Sequence, residues 1–463
     1  MFIKQLYTNC LAEAAYYIES DGECAIIDPL RDVDQYIQLA ESRNAKIKYV
    51  FETHFHADFV SGHLDLKHKT GANIVYGPSA EAVFDFIKAV DNQCFKLGHI
   101  NIKLVHTPGH TLESSCFVVI TEEGDKHAVF TGDTLLIGDV GRPDLAVSSD
   151  CTKEDLAGML YNSLYNKLLL LPEEVMVYPG HGAGSQCGKN MGPERVSTIG
   201  EQKRKNYALQ FDNPKDFIQS VLEGIAIPPQ YFPKNAMINK RGYKEFDVII
   251  SKAMCPLNLE AFIQKSQQAL ILDTRAPEIF MEGNIPGAIN VSLKGSFAVW
   301  VGTLIQELNT PILLVSEKGT EKEAVTRLAR VGYENVLGYL EGGFDYWLQS
   351  GKPIEITAGM CPGKFKIHSA ALQVLDIRSL SEYEQGSLEG AIHLPLPQLE
   401  SNITKLNPEK PYHILCKTGY RAVIAASILK KHGFEHIAVL KKGYEGIKNK
   451  SKNCACTTNA TST

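Results

Sequence analysis

The run LILDTRAPEIFMEGNIPGAINVSL, residues 270–293, returns as VLDIRSLSEYEQGSLEGAIHLPL at 374–396. Farther on, PILLVSEKGTEKEAVTRLARVGYENV (311–336) matches PYHILCKTGYRAVIAASILKKHGFEHI (411–437). A repeat of about 100 residues marks two structural units of one kind rather than a single continuous domain. In each copy, apolar runs and polar loops alternate before a helical pattern, which predicts a small parallel α/β domain. The copies span 251–356 and 357–450. A larger unit, 1–231, precedes them, and a stretch rich in Pro and polar residues reads as a linker over 232–250. The tail 451–463, with Cys454 and Cys456, is expected to be disordered.

In the first unit, four apolar runs each end in a polar motif: KYVF before ETH, NIKLV before HTPGH, HAVF before TGD, and EVMVY before PGH. Short runs of this kind predict buried strands, which places His54, His110, Asp133 and His181 on loops along one rim. Helices are expected in DVDQYIQLAESRN, where Val33, Tyr36, Ile37 and Ala40 share a face, and in SAEAVFDFIKAV, with Ser79 as N-cap.

A formal charge of −6 gives no electrostatic reason to expect nucleic acid or an anionic membrane as partner. No apolar run approaches the ~20 residues of a membrane-spanning helix. MFIKQLYTNC lacks the pattern of an export signal, and the eleven cysteines are irregularly spaced, so a cytoplasmic protein with free thiols is expected.

His54, His56, Asp58, His110, Asp133 and His181 together predict a metal site, because six ligand-type side chains converge on four strand ends. Their order, H-x-H-x-D, P-G-H-T, G-D-T, P-G-H, resembles the metallo-β-lactamase superfamily. That resemblance implies an αββα sandwich with metal at one edge. In dinuclear hydrolases of this group, such as glyoxalase II, a histidine follows the H-x-H-x-D aspartate and serves the second ion. Here that position is Phe59, which favours one ion.

The stretch GDTLLIGDVGRPDL (132–145) resembles, more closely, persulfide dioxygenases of the ethylmalonic-encephalopathy protein type. The likeness implies one Fe(II) per chain, held by His54, His110 and Asp133 as a two-histidine, one-carboxylate facial triad. It gives His56, Asp58 and His181 supporting roles and places Arg142 where a guanidinium meets the carboxylate of a thiol substrate. Cys187, in SQCGK, is a possible sulfur relay, with Lys189 near enough in sequence to lower its pKa.

In the last unit, CKTGYR (416–421) joins a strand to a helix, so backbone N–H groups and the helix dipole should favour a Cys416 thiolate, aided by Lys417 and Arg421. The loop resembles the C-x-x-G-x-R loop of rhodaneses, implying that Cys416 is a sulfur-carrying nucleophile. In the middle copy Ser316 replaces the cysteine and Glu321 the arginine, which predicts a catalytically silent domain that packs against or positions the last one. Overall the chain resembles bacterial persulfide dioxygenase–rhodanese fusions. The resemblance implies oxidation of a low-molecular-weight thiol persulfide by O₂ to sulfite, then sulfur transfer giving thiosulfate, with detoxification of sulfide as the net effect; a homo-oligomer is expected. The rival is a dinuclear zinc thioesterase like hydroxyacylglutathione hydrolase, with a sulfurtransferase appendage.

Overall fold

The structure, a computed structural model, describes residues 1–365 and 373–449; the tail with Cys454 and Cys456 lies outside them. Two compact units are present: Met1–Ile250 with Thr326–Glu334, and Ser251–Val325 with the residues from Asn335 on.

The first unit is built on two six-stranded sheets. One runs in order β1 (Phe2–Thr8), β2 (Glu13–Ser20), β3 (Glu23–Ile27), β4 (Lys46–Phe51), β5 (Asn73–Tyr76) and β6 (Ile87–Lys88). The other runs from β12 (Ser197–Thr198) through β11 (Met176–Pro179), β10 (Lys126–Gly132), β9 (Ser115–Ile120) and β8 (Ile100–His106) to β7 (Cys94–Leu97). Their inner faces meet in a core that includes Tyr16, Phe51, Phe95, Leu104, Phe117 and Phe130. Outside one sheet, helices Asp34–Ser42 and His63–Thr70 bury Val33, Tyr36, Ala40 and Leu66. Outside the other, helices Lys153–Tyr165 and Pro214–Leu222 bury Leu156, Ala157, Leu160 and Phe217. This is the expected αββα sandwich. Fully burying one such aliphatic or aromatic side chain contributes about 1.5–3 kcal/mol, so both sheets need their helical cover.

Two expectations fail here. The segment SAEAVFDFIKAV is extended and contains β6 instead of a helix. Ala82, Phe84 and Phe86 pack on Phe55, Ile74 and Tyr76, while Val83 and Asp85 point outward. Apolar cover at every second residue demands an extended chain.

The stretch 232–250 is no linker: it carries helices Phe232–Arg241 and Phe246–Ala253. Buried Asn239 donates from its amide to the carbonyls of His56 and Phe59, each at 2.8 Å, and accepts the Ser61 N–H at 2.9 Å. A polar face hid a structural clamp.

The second unit holds two parallel five-stranded sheets of identical order. The first is β13 (Pro256–Leu257), β17 (Val336–Leu340), β16 (Ile312–Val315), β14 (Leu270–Asp273) and β15 (Ile289–Asn290). The second is β18 (Ala358–Met360), β22 (Ile437–Leu440), β21 (Tyr412–Leu415), β19 (Gln373–Asp376) and β20 (Ile392–His393). Each copy closes an identical buried pair: Arg275 on Asp273 and Arg378 on Asp376, both at 2.6 Å. The paired guanidiniums reach on to the Gly283 and Gly386 carbonyls, each at 2.9 Å. Among the described residues, no helix is long and apolar enough to cross a membrane.

Replacing Asn239 by Ala strands a buried N–H and two carbonyls, and is expected to cost the first unit about 3 kcal/mol. Thermal unfolding of the full chain checks this; an unchanged midpoint would show that the clamp is dispensable.

Candidate metal centre and sulfur-transfer loop

The four strand-end motifs meet at one edge of the sandwich. Nitrogen and oxygen atoms of His54, His110 and Asp133 lie within 4.8 Å of one another, all buried. Asp133 Oδ2 stands 3.4 Å from His110 Nε2 and 3.9 Å from His54 Nε2.

Local sequence explains the convergence. Gly132, the last residue of β10 and the one before Asp133, has φ 48°, and a Cβ there would come within 2.4 Å of Thr53 Oγ1. Gly141 must also be bare, since its Cβ would meet the Asp133 carbonyl oxygen at 1.9 Å. That close approach brings the Arg142 carbonyl to His110 Nδ1 at 2.9 Å.

Each histidine is therefore oriented from behind. His110 Nδ1–H donates to Arg142 O. His54 Nδ1–H donates to Thr53 Oγ1 at 2.9 Å, and Thr53 passes its own proton bond to Asp28 Oδ2 at 2.8 Å. Both Nε2 lone pairs then face inward, the arrangement that metal-ligating histidines need. Burial, reinforced for His54 by His56 and His110, lowers the pKa of His54; burial also lowers that of His110, so both rings are neutral. His110 Nε2 and Asp133 Oδ2 are buried without any hydrogen-bond partner. Two facing acceptors left unsatisfied in the interior are costly unless a cation sits between them. The donor set fits a divalent metal ion.

His181 is tied elsewhere. Its Nδ1 bonds Asp133 Oδ1 at 2.7 Å and its Nε2 bonds Asp58 Oδ2 at 2.8 Å. Burial opposes charge on this ring, but the two carboxylates prevail and hold its pKa well above the ordinary value. Burial likewise opposes ionisation of Asp133, and His181, His110 and His54 overcome it, keeping the carboxyl far below its ordinary range. His181 is thus an imidazolium bridge that props one Asp133 oxygen while the other faces the metal position. Phe59 is fully buried and stacks on His56, with ring centroids 4.2 Å apart.

His56 stands beside His54, ring centroids 4.1 Å apart, in a buried cluster with Asp28 and Glu52, its Nε2 lying 3.1 Å from Asp28 Oδ1. Other expected roles change. Arg142 does not present a free guanidinium to substrate. Nε and Nη2 grip Asp144 at 2.7 and 2.8 Å, Nη1 donates to Gln186 O, and Nη2 also donates to Ala226 O. Its contribution to the site is its carbonyl. Cys187 does lie with Asp58 and His181. Burial, with Asp58 and Asp133 adding to it, pushes its pKa well above the ordinary thiol value. Lys189 does not counter this, because its ammonium donates to the carbonyls of Ser220 and Glu223. Asp28 and Thr53 were missed, although Asp28 ends the apolar run AII and the same strand-end logic would have found it.

In the last repeat, the Cys416 Sγ accepts the Gly419 N–H at 3.0 Å at the start of helix Tyr420–Lys431. The expected neutral-pH thiolate is not what the surroundings favour. Burial raises the Cys416 pKa above its ordinary 9.0, outweighing Arg421 and the N–H groups of Ala422, Gly419 and Thr418. Arg421 is partly spent on Glu382, bonded through both oxygens at 2.7 Å, which pulls the Glu382 pKa down to about 2. Lys417 turns outward to Glu445, 3.7 Å away. In the middle repeat Ser316 accepts from Thr274, and Glu321 fills the loop by accepting the Gly319 N–H at 2.8 Å. The loop N–H there is taken by the chain's own carboxylate. Eight of the described cysteines are free thiols.

Comparison with known proteins agrees with this division. Residues 8–181 match the metallo-beta-lactamase superfamily, and residues 258–350 and 364–450 match the rhodanese-like domain. Cytoplasmic hydroxyacylglutathione hydrolase of Arabidopsis thaliana is 37% identical over 184 residues, covering 39% of this chain and 67% of that protein. A solved metallo-beta-lactamase from Staphylococcus aureus subsp. aureus COL is 30% identical with TM-score 0.65, covering 74% of this chain and 98% of that one. ETHE1 from Myxococcus xanthus is 28% identical with TM-score 0.45, covering 52% of this chain and 98% of that one.

Thr53→Val cuts the link from Asp28 to His54 and is expected to weaken metal binding about 10–100-fold, with Thr53→Ser restoring it. Equilibrium dialysis of the metal reads this directly. Glu382→Gln frees Arg421 to act on Cys416, so alkylation of Cys416 at pH 7 should speed several-fold. In the unmodified chain that rate should climb with pH through and beyond 9.0, because a raised thiol pKa delays thiolate formation.

Proposed function

For a chain that belongs to the metallo-β-lactamase superfamily and carries two rhodanese-like domains, we propose an iron-dependent persulfide dioxygenase coupled to sulfur transfer at Cys416. The observation that carries this reading is the second-ion position. Phe59 supplies no ligand there, and both nitrogens of His181 are engaged by Asp133 and Asp58. Of the three ligand-type clusters among the described residues, His54, His110 and Asp133 form the one with two histidines and one carboxylate, which suits a single Fe(II) with open positions.

His54, His110 and Asp133 would hold that ion on one side. Bound iron supplies the redox chemistry by which O₂ reacts with a sulfur atom. The chain's own residues do the rest. Thr53, Asp28 and the Arg142 carbonyl keep both imidazoles aimed inward. The His181 imidazolium keeps the Asp133 charge in place, and the buried Phe59 ring stacks on His56. The overall reaction balances as RSSH + O₂ + H₂O giving RSH, sulfite and two protons. Sulfite is then the acceptor for sulfane sulfur carried on Cys416, which gives thiosulfate. The middle repeat takes no part in sulfur chemistry, since Ser316 replaces the thiol and Glu321 occupies the loop.

The Arabidopsis relative favours a second reading, hydrolysis of an acyl-glutathione by a metal-bound hydroxide. The two readings part cleanly in one experiment. Fe(II)-loaded protein given glutathione persulfide is expected to take up O₂ and form sulfite and thiosulfate. Cys416→Ser should keep the uptake and lose the thiosulfate, while Asp133→Ala should lose uptake by at least about 100-fold. Absence of uptake, together with acyl-glutathione cleavage by zinc-loaded protein, would overturn the dioxygenase.

A further inference from the structure

A cavity of about 730 Å³ lies within the second unit, walled by residues of both repeats. Three consecutive residues of the sulfur-transfer loop, Thr418, Gly419 and Tyr420, form one side. The opposing side comes from the silent repeat, and the two are fixed together. Tyr420 Oη donates to Ser292 O at 3.0 Å, and the Asn290 N–H donates to Ser427 Oγ at 3.2 Å.

Size and chemistry speak against an inorganic anion as its only occupant. The volume falls in the range of about 300–1,000 Å³ typical of organic-ligand sites. Met281, Ile356 and Val439 supply an apolar floor. Around it stand Lys294, Lys441 and Lys442, none of which has an ion-pair partner among the described residues, with Glu278 and Glu282 on the silent repeat's side. Lys442 takes the left-handed conformation at φ 60°. The next residue, Gly443, packs on the Cys416 carbonyl oxygen, where a Cβ would come within 2.2 Å. A non-glycine residue kept in that region by its surroundings is commonly a sign of function.

We propose that this cavity binds the organic body of a zwitterionic, peptide-like thiol persulfide, and that the silent repeat survives to provide its second wall. Lys294, Lys441 and Lys442 meet the carboxylates, Glu278 and Glu282 meet the ammonium, and the sulfur end lies toward the Cys416 loop. The assignment rests on Cys416 being the sulfur-transfer nucleophile. In the step served, the Cys416 thiolate attacks the outer sulfur of RS–SH. A new S–S bond forms, the old one breaks, and RS⁻ leaves into the cavity. Sulfite then attacks the outer sulfur of Cys416–S–SH, releasing hydrogen thiosulfate and restoring the thiolate, with no external oxidant or reductant.

The test uses the full chain and two sulfur donors, glutathione persulfide and inorganic thiosulfate. Lys294→Glu is expected to raise KM for glutathione persulfide about tenfold with kcat retained, while KM for thiosulfate moves less than twofold. Ala358→Trp, which fills the cavity from an exposed strand residue, should do the same. Equal changes with both donors, or none with either, would overturn the cavity as the organic site. Cys416→Ser separates this from the parent reading: if it still transfers sulfur from both donors, the nucleophile itself has been misassigned.

Discussion

Asp133 divides its carboxylate between two tasks, and the metal edge depends on that division. One oxygen is held by the His181 imidazolium at 2.7 Å, while the other is left bare toward His54 and His110. The protonated His181 is in turn stabilised by Asp58 on its far side. A charged chain, Asp58–His181–Asp133, thus runs through the interior where isolated charges would be severely penalised. Each member is bearable only because its neighbour is opposite in sign. Here Asp58 and His181 together brace one oxygen of Asp133 from within the core.

Much of this was legible in the sequence because the local rules agreed with one another. Apolar runs ending in TGD, PGH and ETH had to be strands delivering side chains to a rim, and they are. The repeat, aligned by D-x-R and by the loop glycines Gly319 and Gly419, gave two sheets of the same order. The failures have physical causes. SAEAVFDFIKAV contains good helix formers, but its aromatics alternate, and packing against Phe55 and Tyr76 decides the matter. IPPQYFPKNAMINKRGY looked like a linker because its buried groups are amides, whose value depends on partners far away in the chain. Arg142 was misjudged for a related reason. A sequence shows a guanidinium, whereas here the useful group is its carbonyl.

The two repeats form a natural controlled comparison. They share strand order, the buried Asp–Arg pair and a ring beneath the guanidinium, Phe344 in one and Tyr444 in the other. They differ where chemistry would occur. One loop turns its N–H group toward a thiol, and the other turns it toward its own carboxylate. The scaffold is the same in both because the Asp–Arg pairs lie at the strand ends, apart from the loop.

The Asn239 clamp bears on where this protein can be divided. The family's sequence pattern ends at His181, yet the loop that supplies His54, His56 and Asp58 is fastened by an amide from a helix that begins at Phe232. The edge that carries the histidine cluster therefore borrows its rigidity from a segment that family boundaries leave outside. Recombination or cloning that cuts at those boundaries would carry away His54, His110 and Asp133 and still release the loop that presents His54. The indivisible unit here is set by hydrogen bonding across the chain, and it is longer than the motif-bearing sequence.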